Sequence, residues 1–197
     1  MNELEQFSPI LFNDVCQIIE GTRNRLATTV NAEVCLLHWN IGKRIKEDVL
    51  YNKRAEYGKE IVKKLAVQLT VKYGKGWSFY KLQHCVRSAY TFNEDEIMYA
   101  VRTQLSWTHL RSLMSLDNAL KRNFYMEMAR IEHWDTRTLD EKIDSMFYER
   151  TALSRKPENL IMQELEKIKA TNVLSPDAVF RSSYFLDTLG LADTYSK

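Results

Sequence analysis

Residues 57–91 carry the side chains whose types and spacing best suit the binding of a ligand. A helical pattern of apolar residues ends at the glycines of YGKGW, and Ser78 follows where it would cap a second helix. In that second helix the apolar positions recur on one face, namely Leu82, Cys85, Val86 and Ala89. The opposite face then presents polar and basic side chains: Tyr80, Lys81, Gln83, His84, Arg87 and Thr91.

This arrangement has the chemistry of a surface that binds DNA. Two helices joined by a tight turn form the skeleton of a helix-turn-helix unit, which lays its second helix in the major groove. There Arg pairs with guanine and Gln with adenine, whereas Lys, Tyr and Thr bind phosphate oxygens. The start of the second helix also favours an anion, and Lys72 and Lys75 are expected beside it. The residues predicted to bind DNA are Lys59, Lys63, Lys64, Lys72, Lys75, Ser78, Tyr80, Lys81, Gln83, His84 and Arg87.

The distribution of charge along the chain favours the same function. The 197 residues have a formal net charge of +2. Residues 43–88 hold twelve basic and four acidic residues, an excess of eight positive charges, whereas residues 1–42 and 89–197 each carry a net charge of −3. Such a concentration is typical of a surface that meets phosphate, although solvated helix faces have the same composition.

The spacing of apolar residues predicts an all-α fold. It predicts a helix from Pro9 to Glu20, capped by Ser8, and a separate long helix capped by Thr22. A second helical pair is expected near residues 117–150, in addition to the helix-turn-helix-like unit near residues 57–91. The alternating segment EIMYAVR is too short and isolated to build a sheet. The long helix is predicted to bury one stripe, formed by Val30, Val34, Leu37, Ile41, Ile45 and Val49.

The sequence does not indicate a catalytic site, a nucleotide-binding loop, a metal site or a membrane helix. Neighbouring cysteine and histidine residues lack a third group that would orient a nucleophile and its base. There is no phosphate-binding glycine loop, no metal-ligand spacing and no run as long as a membrane helix. The N-terminus, MNELEQFSPI, does not resemble a secretory signal. We therefore expect a cytoplasmic chain that needs no cofactor, contacts no membrane and has no catalytic activity alone.

Five segments, in order, resemble the YhcG-type family. They are LHWNIGKRIKE, YGKEIVKKLAVQLTVKYGKGWSFYKLQHCVRSAY, LSWTHLRSLMSL, RNFYMEMARIEHWDTRTLDEKIDSMFYER and SYFLDTLGL, and they span about residues 10–191. That bacterial family joins an N-terminal helical domain, predicted to bind DNA, to a C-terminal PD-(D/E)XK nuclease domain. The family is richer in Arg where this chain has Phe79, Tyr80, Gln83 and His84, a departure that argues against strong, phosphate-dominated binding.

The resemblance implies that this chain is the N-terminal module of such a protein. Residues 1–155 would form the helical domain and residues 156–197 a helical extension towards a nuclease domain that is absent here. Catalysis and Mg²⁺ are implied only together with that nuclease domain, because the required carboxylates and lysine are not found in this sequence.

Two functions therefore remain open. The first is a module that positions a nuclease on DNA, with duplex DNA and a nuclease domain or partner chain as its partners. The alternative is a protein-interaction or dimerisation module, which includes a homo-oligomer of this chain. The second helical pair favours the alternative, because its second helix carries acids that would repel phosphate, namely Asp135, Asp140, Glu141 and Asp144.

Overall fold

All regular elements in the described part of the chain are helices. The structure is a computed structural model that describes residues 9–51, 55–151 and 153–179. Its α-helices are α1 (Pro9–Tyr51), α2 (Ala55–Tyr73), α3 (Phe79–Thr91), α4 (Glu94–Arg102), α5 (Trp107–Leu113), α6 (Ala119–Ile131), α7 (Thr136–Asp144), α8 (Glu158–Thr171) and α9 (Pro176–Val179). Two 3₁₀ turns, Tyr148–Arg150 and Leu153–Arg155, connect α7 to α8. The all-α prediction is confirmed, and EIMYAVR lies in α4.

None of the helices in those three ranges is both long enough and apolar enough to cross a membrane. The expectation of a helical extension can be followed only as far as Val179, and the rest of it lies outside the described residues. Within the described part, α8 packs on α6 and contributes to the same hydrophobic core as the preceding helices, through Ile161, Leu165 and Ile168.

Helix α1 is one continuous helix of 43 residues, so the predicted break before Thr22 is wrong. The Thr22 hydroxyl donates to the Ile18 carbonyl one turn earlier, at 2.9 Å, and therefore does not cap a new helix. A residue that favours caps can sit inside a helix when its side chain bonds to the preceding turn, as here. The predicted cap at Ser8 lies outside the described residues.

The stripe of α1 predicted to be buried is also partly wrong. Val30 and Leu37 remain 58% and 48% exposed. The buried face of α1 is rotated away from them and contains a glycine and a histidine, which a hydrophobic pattern does not identify. That face is formed by Cys35, His38, Trp39, Gly42 and Ile45.

The closest helix contact is between α1 and α3. Gly42 lies directly against the backbone of α3, because a Cβ added there would be 1.8 Å from the Cys85 carbonyl oxygen. The inner face of α3 is as predicted, with Leu82, Cys85 and Ala89 buried and Val86 half-buried. Since only glycine permits this approach, the position of α3 on the molecule depends on Gly42.

Several helix starts are fixed by side-chain caps, among them the cap predicted at Ser78. Ser78 accepts a hydrogen bond from the backbone of Lys81, and Ser106 and Asp135 cap α5 and α7 in the same way. Helix α6 is capped by Asn118, although Asp117 directly before it is also a residue type that caps helices. Both residue types are good caps, so the sequence alone leaves a one-residue ambiguity there.

We expect Gly42→Ala to destabilise the protein by about 3 kcal/mol or more, because the added methyl would overlap the α3 backbone. Urea unfolding followed by circular dichroism measures this change. Gly21→Ala is the matched control, because its added Cβ would meet only the Arg25 side chain, at 3.5 Å. The control should stabilise α1 by about 0.5–1 kcal/mol. Equal stability of the two variants would contradict the role assigned to Gly42.

Candidate nucleic-acid interface

A glycine elbow joins α2 to α3. Gly74 ends α2 with a φ of +90°, a conformation that other residues rarely adopt. Its amide donates to the Thr70 carbonyl at 2.9 Å, and the Thr70 hydroxyl donates to the Trp77 carbonyl at 3.3 Å. Ser78 then caps α3. These bonds set the direction in which α3 leaves the elbow, so the outer face of α3 has a fixed orientation.

The outer face of α3 presents several of the predicted residues together. Tyr80 is 73% exposed, and Gln83 and Arg87 are exposed one and two turns further along. Gln83 and Arg87 line a groove of about 580 Å³ between α2 and α3, and Lys59 of α2 lines the same groove. An amide and two cationic groups of the predicted set therefore share one accessible surface.

Arg111 of α5 adds a positive charge that sequence reasoning missed. The pKa of His84 is lowered, mainly by burial and further by the charges of Arg111 and Arg87. Both guanidinium groups therefore act on the half-buried His84 at the edge of the outer face. Arg111 was missed because α5 reaches α3 only through the tertiary fold, and nothing in its local sequence signals that approach.

Lys81 does not lie with the outer-face residues, contrary to the prediction. It is half-buried, and its Nζ lies 4.7 Å from the centre of the Trp77 ring. Its charge also acts on His38 of α1, which lies beneath Trp77 and Trp107. The cation–π contact keeps Lys81 against the body of the protein.

The remaining predicted lysines are distributed around α2 and the elbow. Lys63 forms a 2.6 Å ion pair with Glu60. Lys64 lines a separate groove between α1 and α2 and does not share the groove of Lys59. Lys72 lies in the last turn of α2, with its Nζ 5.2 Å from the centre of the Tyr73 ring. Lys75 is exposed in the elbow itself.

The structure therefore brings together only part of the predicted set. Lys59, Tyr80, Gln83, His84 and Arg87 belong to the α3 outer face and its groove, which we call the α3 face and which also includes Arg111. Ser78 acts as the cap of α3, while Lys64 and Lys81 are directed elsewhere. The sequence has no acidic residue between Glu60 and Glu94, so α3 itself carries none.

The two buried cysteines are not activated as nucleophiles. Burial raises the pKa of Cys35 and of Cys85 to about 11, which keeps both thiols protonated at neutral pH. Among the residues that the structure describes, no three His, Cys, Asp or Glu side chains are grouped to hold a metal ion. What the α3 face offers is a set of cationic and amide donors, which suit anionic oxygens and base edges.

Fold and site together define an all-α domain that presents one helix face with basic and amide groups beside a glycine elbow. The chain belongs to the DUF1016 N-terminal domain family, which it matches over residues 14–150. Together with the relative described next, this match confirms the YhcG-type resemblance.

One relative, from Escherichia coli (strain K12), is named "Putative nuclease YhcG". It is 25% identical over 217 aligned positions, which cover 95% of this chain. The chain spans 57% of the length of that protein. No solved structure matches the chain.

We expect His38 to make stability fall as the pH is lowered. Burial, with a smaller effect of Lys81, lowers the pKa of His38 to about 4. Unfolded chains bind this proton near pH 6.5, so protonation favours unfolding between pH 6.5 and 4. The free energy of unfolding should drop by about 2 kcal/mol between pH 7 and pH 5 from this group.

Urea titrations at several pH values measure this dependence. Protonation of His84 also lowers the free energy of unfolding as the pH falls, because the pKa of His84 is lowered in the folded protein as well. His38→Gln should flatten most of the slope even though the variant is less stable overall, and a slope equal to that of the wild type would refute the assignment.

Proposed function

We propose that this chain is a DNA-binding module that positions a nuclease on DNA. The observation that carries the proposal is the α3 face. There Gln83 and Arg87 of α3 lie near Lys59 of α2 and Arg111 of α5, and α3 has no acidic residue of its own. The relative named as a nuclease supports the second half of the proposal, since this chain spans only part of that protein.

The α3 face suits a helix placed in the major groove of duplex DNA. Gln83 and Arg87 are four residues apart and therefore lie one above the other on α3. Their amide and guanidinium groups are those that pair with adenine and guanine edges. Lys59 on α2 and Arg111 on α5 flank α3 and would contact phosphate oxygens.

The positions of the other lysines imply that electrostatic attraction to phosphate contributes only modestly to the affinity for DNA. Lys81 is held on Trp77, Lys63 is paired with Glu60, and Lys64 lines a different groove. Two cations of the α3 face, Lys59 and Arg111, then remain for phosphate, so this face should make the logarithm of the affinity fall with the logarithm of salt concentration with a slope near −2. Binding of this kind is moderate in affinity and sensitive to salt.

Lys59→Ala combined with Arg87→Ala should weaken binding to labelled duplex DNA by about tenfold at low salt and reduce the salt slope by about one, because only Lys59 is assigned to a phosphate. Fluorescence anisotropy at two or more salt concentrations measures both quantities. The matched control is Arg155→Ala combined with Lys167→Ala, which removes two exposed cations outside the α3 face. If groove and control variants bind like the wild type while remaining folded, the α3 face is not the DNA site.

Gln83→Ala should relax the sequence preference while leaving the salt slope unchanged, because the amide is assigned to a base edge and not to a phosphate. Selection of bound duplexes from a random-sequence pool, for wild type and variant, measures the change. A variant that selects the same sequences as the wild type would show that Gln83 does not read a base.

A further inference from the structure

Residues 15–37 of α1 carry an apolar stripe on the side away from the core. Its side chains are between 43% and 69% exposed, although all are aliphatic: Val15, Ile18, Ile19, Leu26, Val30 and Leu37. Aliphatic side chains in a continuous row on the surface are typical of an interaction site. We call this row the α1 stripe.

The spacing of the α1 stripe keeps it on one line along the helix. Val15, Leu26 and Leu37 are eleven residues apart, and so are Ile19, Val30 and Ile41. Eleven residues complete three turns of an α-helix with a drift of only about 20°. A second straight helix can therefore contact the stripe along its whole length without strong supercoiling.

At its inner end the α1 stripe runs into an apolar groove between α1 and α2. The groove has a volume of about 820 Å³. Its lining begins on α1 with Leu37 and Ile41 and continues onto α2 with Leu65 and Leu69, and Trp77 of the elbow also lines it. This groove differs from the groove of the α3 face, which is lined by an earlier part of α2, although Ile45 borders both. It offers a place for the end of a helix that lies on the stripe.

We propose that the α1 stripe is the interface with a second copy of this chain, packed antiparallel. In this arrangement Val15 of one copy faces Ile41 of the other, Ile19 faces Leu37, and Leu26 faces Val30. These three pairs share one two-fold axis, near residue 28, so a single symmetric contact satisfies both copies. The outer end of each α1 then enters the apolar groove of its partner.

The direction of packing follows from charge. Glu33 interrupts the α1 stripe between Val30 and Leu37 and also lines the groove. In a parallel pair the two copies of Glu33 would stand at the same level and repel each other. Packed antiparallel about residue 28, Glu33 of one copy is instead level with Arg23 of the other, which carries the opposite charge and forms an exposed 3.0 Å ion pair with Glu20 of its own helix.

The area of the stripe is sufficient for a specific dimer. The six exposed aliphatic side chains offer roughly 500 Å² per copy, so a pair would bury about 1,000 Å² before the groove is counted. This is the size at which specific interfaces begin, so we expect a reversible dimer. The inference is independent of the proposed DNA site, because the α1 stripe and the α3 face share no residue.

Sedimentation equilibrium of the full chain tests the proposal. The wild type should show a reversible monomer–dimer equilibrium. Leu26→Glu combined with Val30→Glu should weaken dimerisation by at least about 100-fold, because four unpaired carboxylates would enter the interface. The matched control is Val67→Glu combined with Val71→Glu, which alters two exposed valines of α2 outside the stripe and should dimerise like the wild type. A monomeric wild type, or equal dimerisation of the two variants, would overturn the proposal.

Disulfide crosslinking tests the direction of packing, in a Cys16→Ser background that leaves only the buried Cys35 and Cys85. Ile19→Cys combined with Leu37→Cys should form a covalent dimer on oxidation. A bridge within one copy is excluded, since 18 residues of helix span about 27 Å. Each single variant should remain uncrosslinked. Crosslinking of either single variant would indicate a parallel pair and contradict the proposed arrangement, as would failure of the double variant to crosslink.

Discussion

The contact between Gly42 and the Cys85 carbonyl is the constraint on which the rest of the described structure depends. Because the backbones of α1 and α3 touch there, the inner side of α3 is fully used, and its outer side must face solvent. The elbow at Gly74 then determines where α2 lies relative to α3. Because Gly42 has no side chain, α3 can lie against α1 there, and this contact fixes the orientation of the surface to which we assign a function.

The fold class and the inner face of α3 could be predicted because they depend on local periodicity and on caps. Leu82, Cys85 and Ala89 repeat at helical spacing, and Ser78 is a standard cap. The continuity of α1 could not be predicted, since Thr22 is compatible with both a cap and a helix interior. Which of the two apolar sides of α1 meets the core was equally undetermined, because that choice depends on Gly42 and on α3.

The candidate site shows the same division between local and tertiary information. Gln83 and Arg87 were found because they lie opposite the apolar positions of one helix. Lys81 was misplaced because its position depends on Trp77, which precedes the helix and turns back onto it. Arg111 was missed because it comes from a distant helix. A count of charges in the sequence therefore points to the region of the α3 face but overestimates the number of cations on one surface.

The inner face of α3 packs against α1, whereas its outer face is exposed. This division determines which residues of α3 can be substituted without loss of the fold. Residues 80, 83 and 87 are exposed, so substitutions there should alter folding stability only slightly. The scaffold beneath them, anchored at Gly42, tolerates almost no change in volume. Related modules could therefore acquire new target preferences by exchanging a few solvent-facing side chains on an unchanged helical frame.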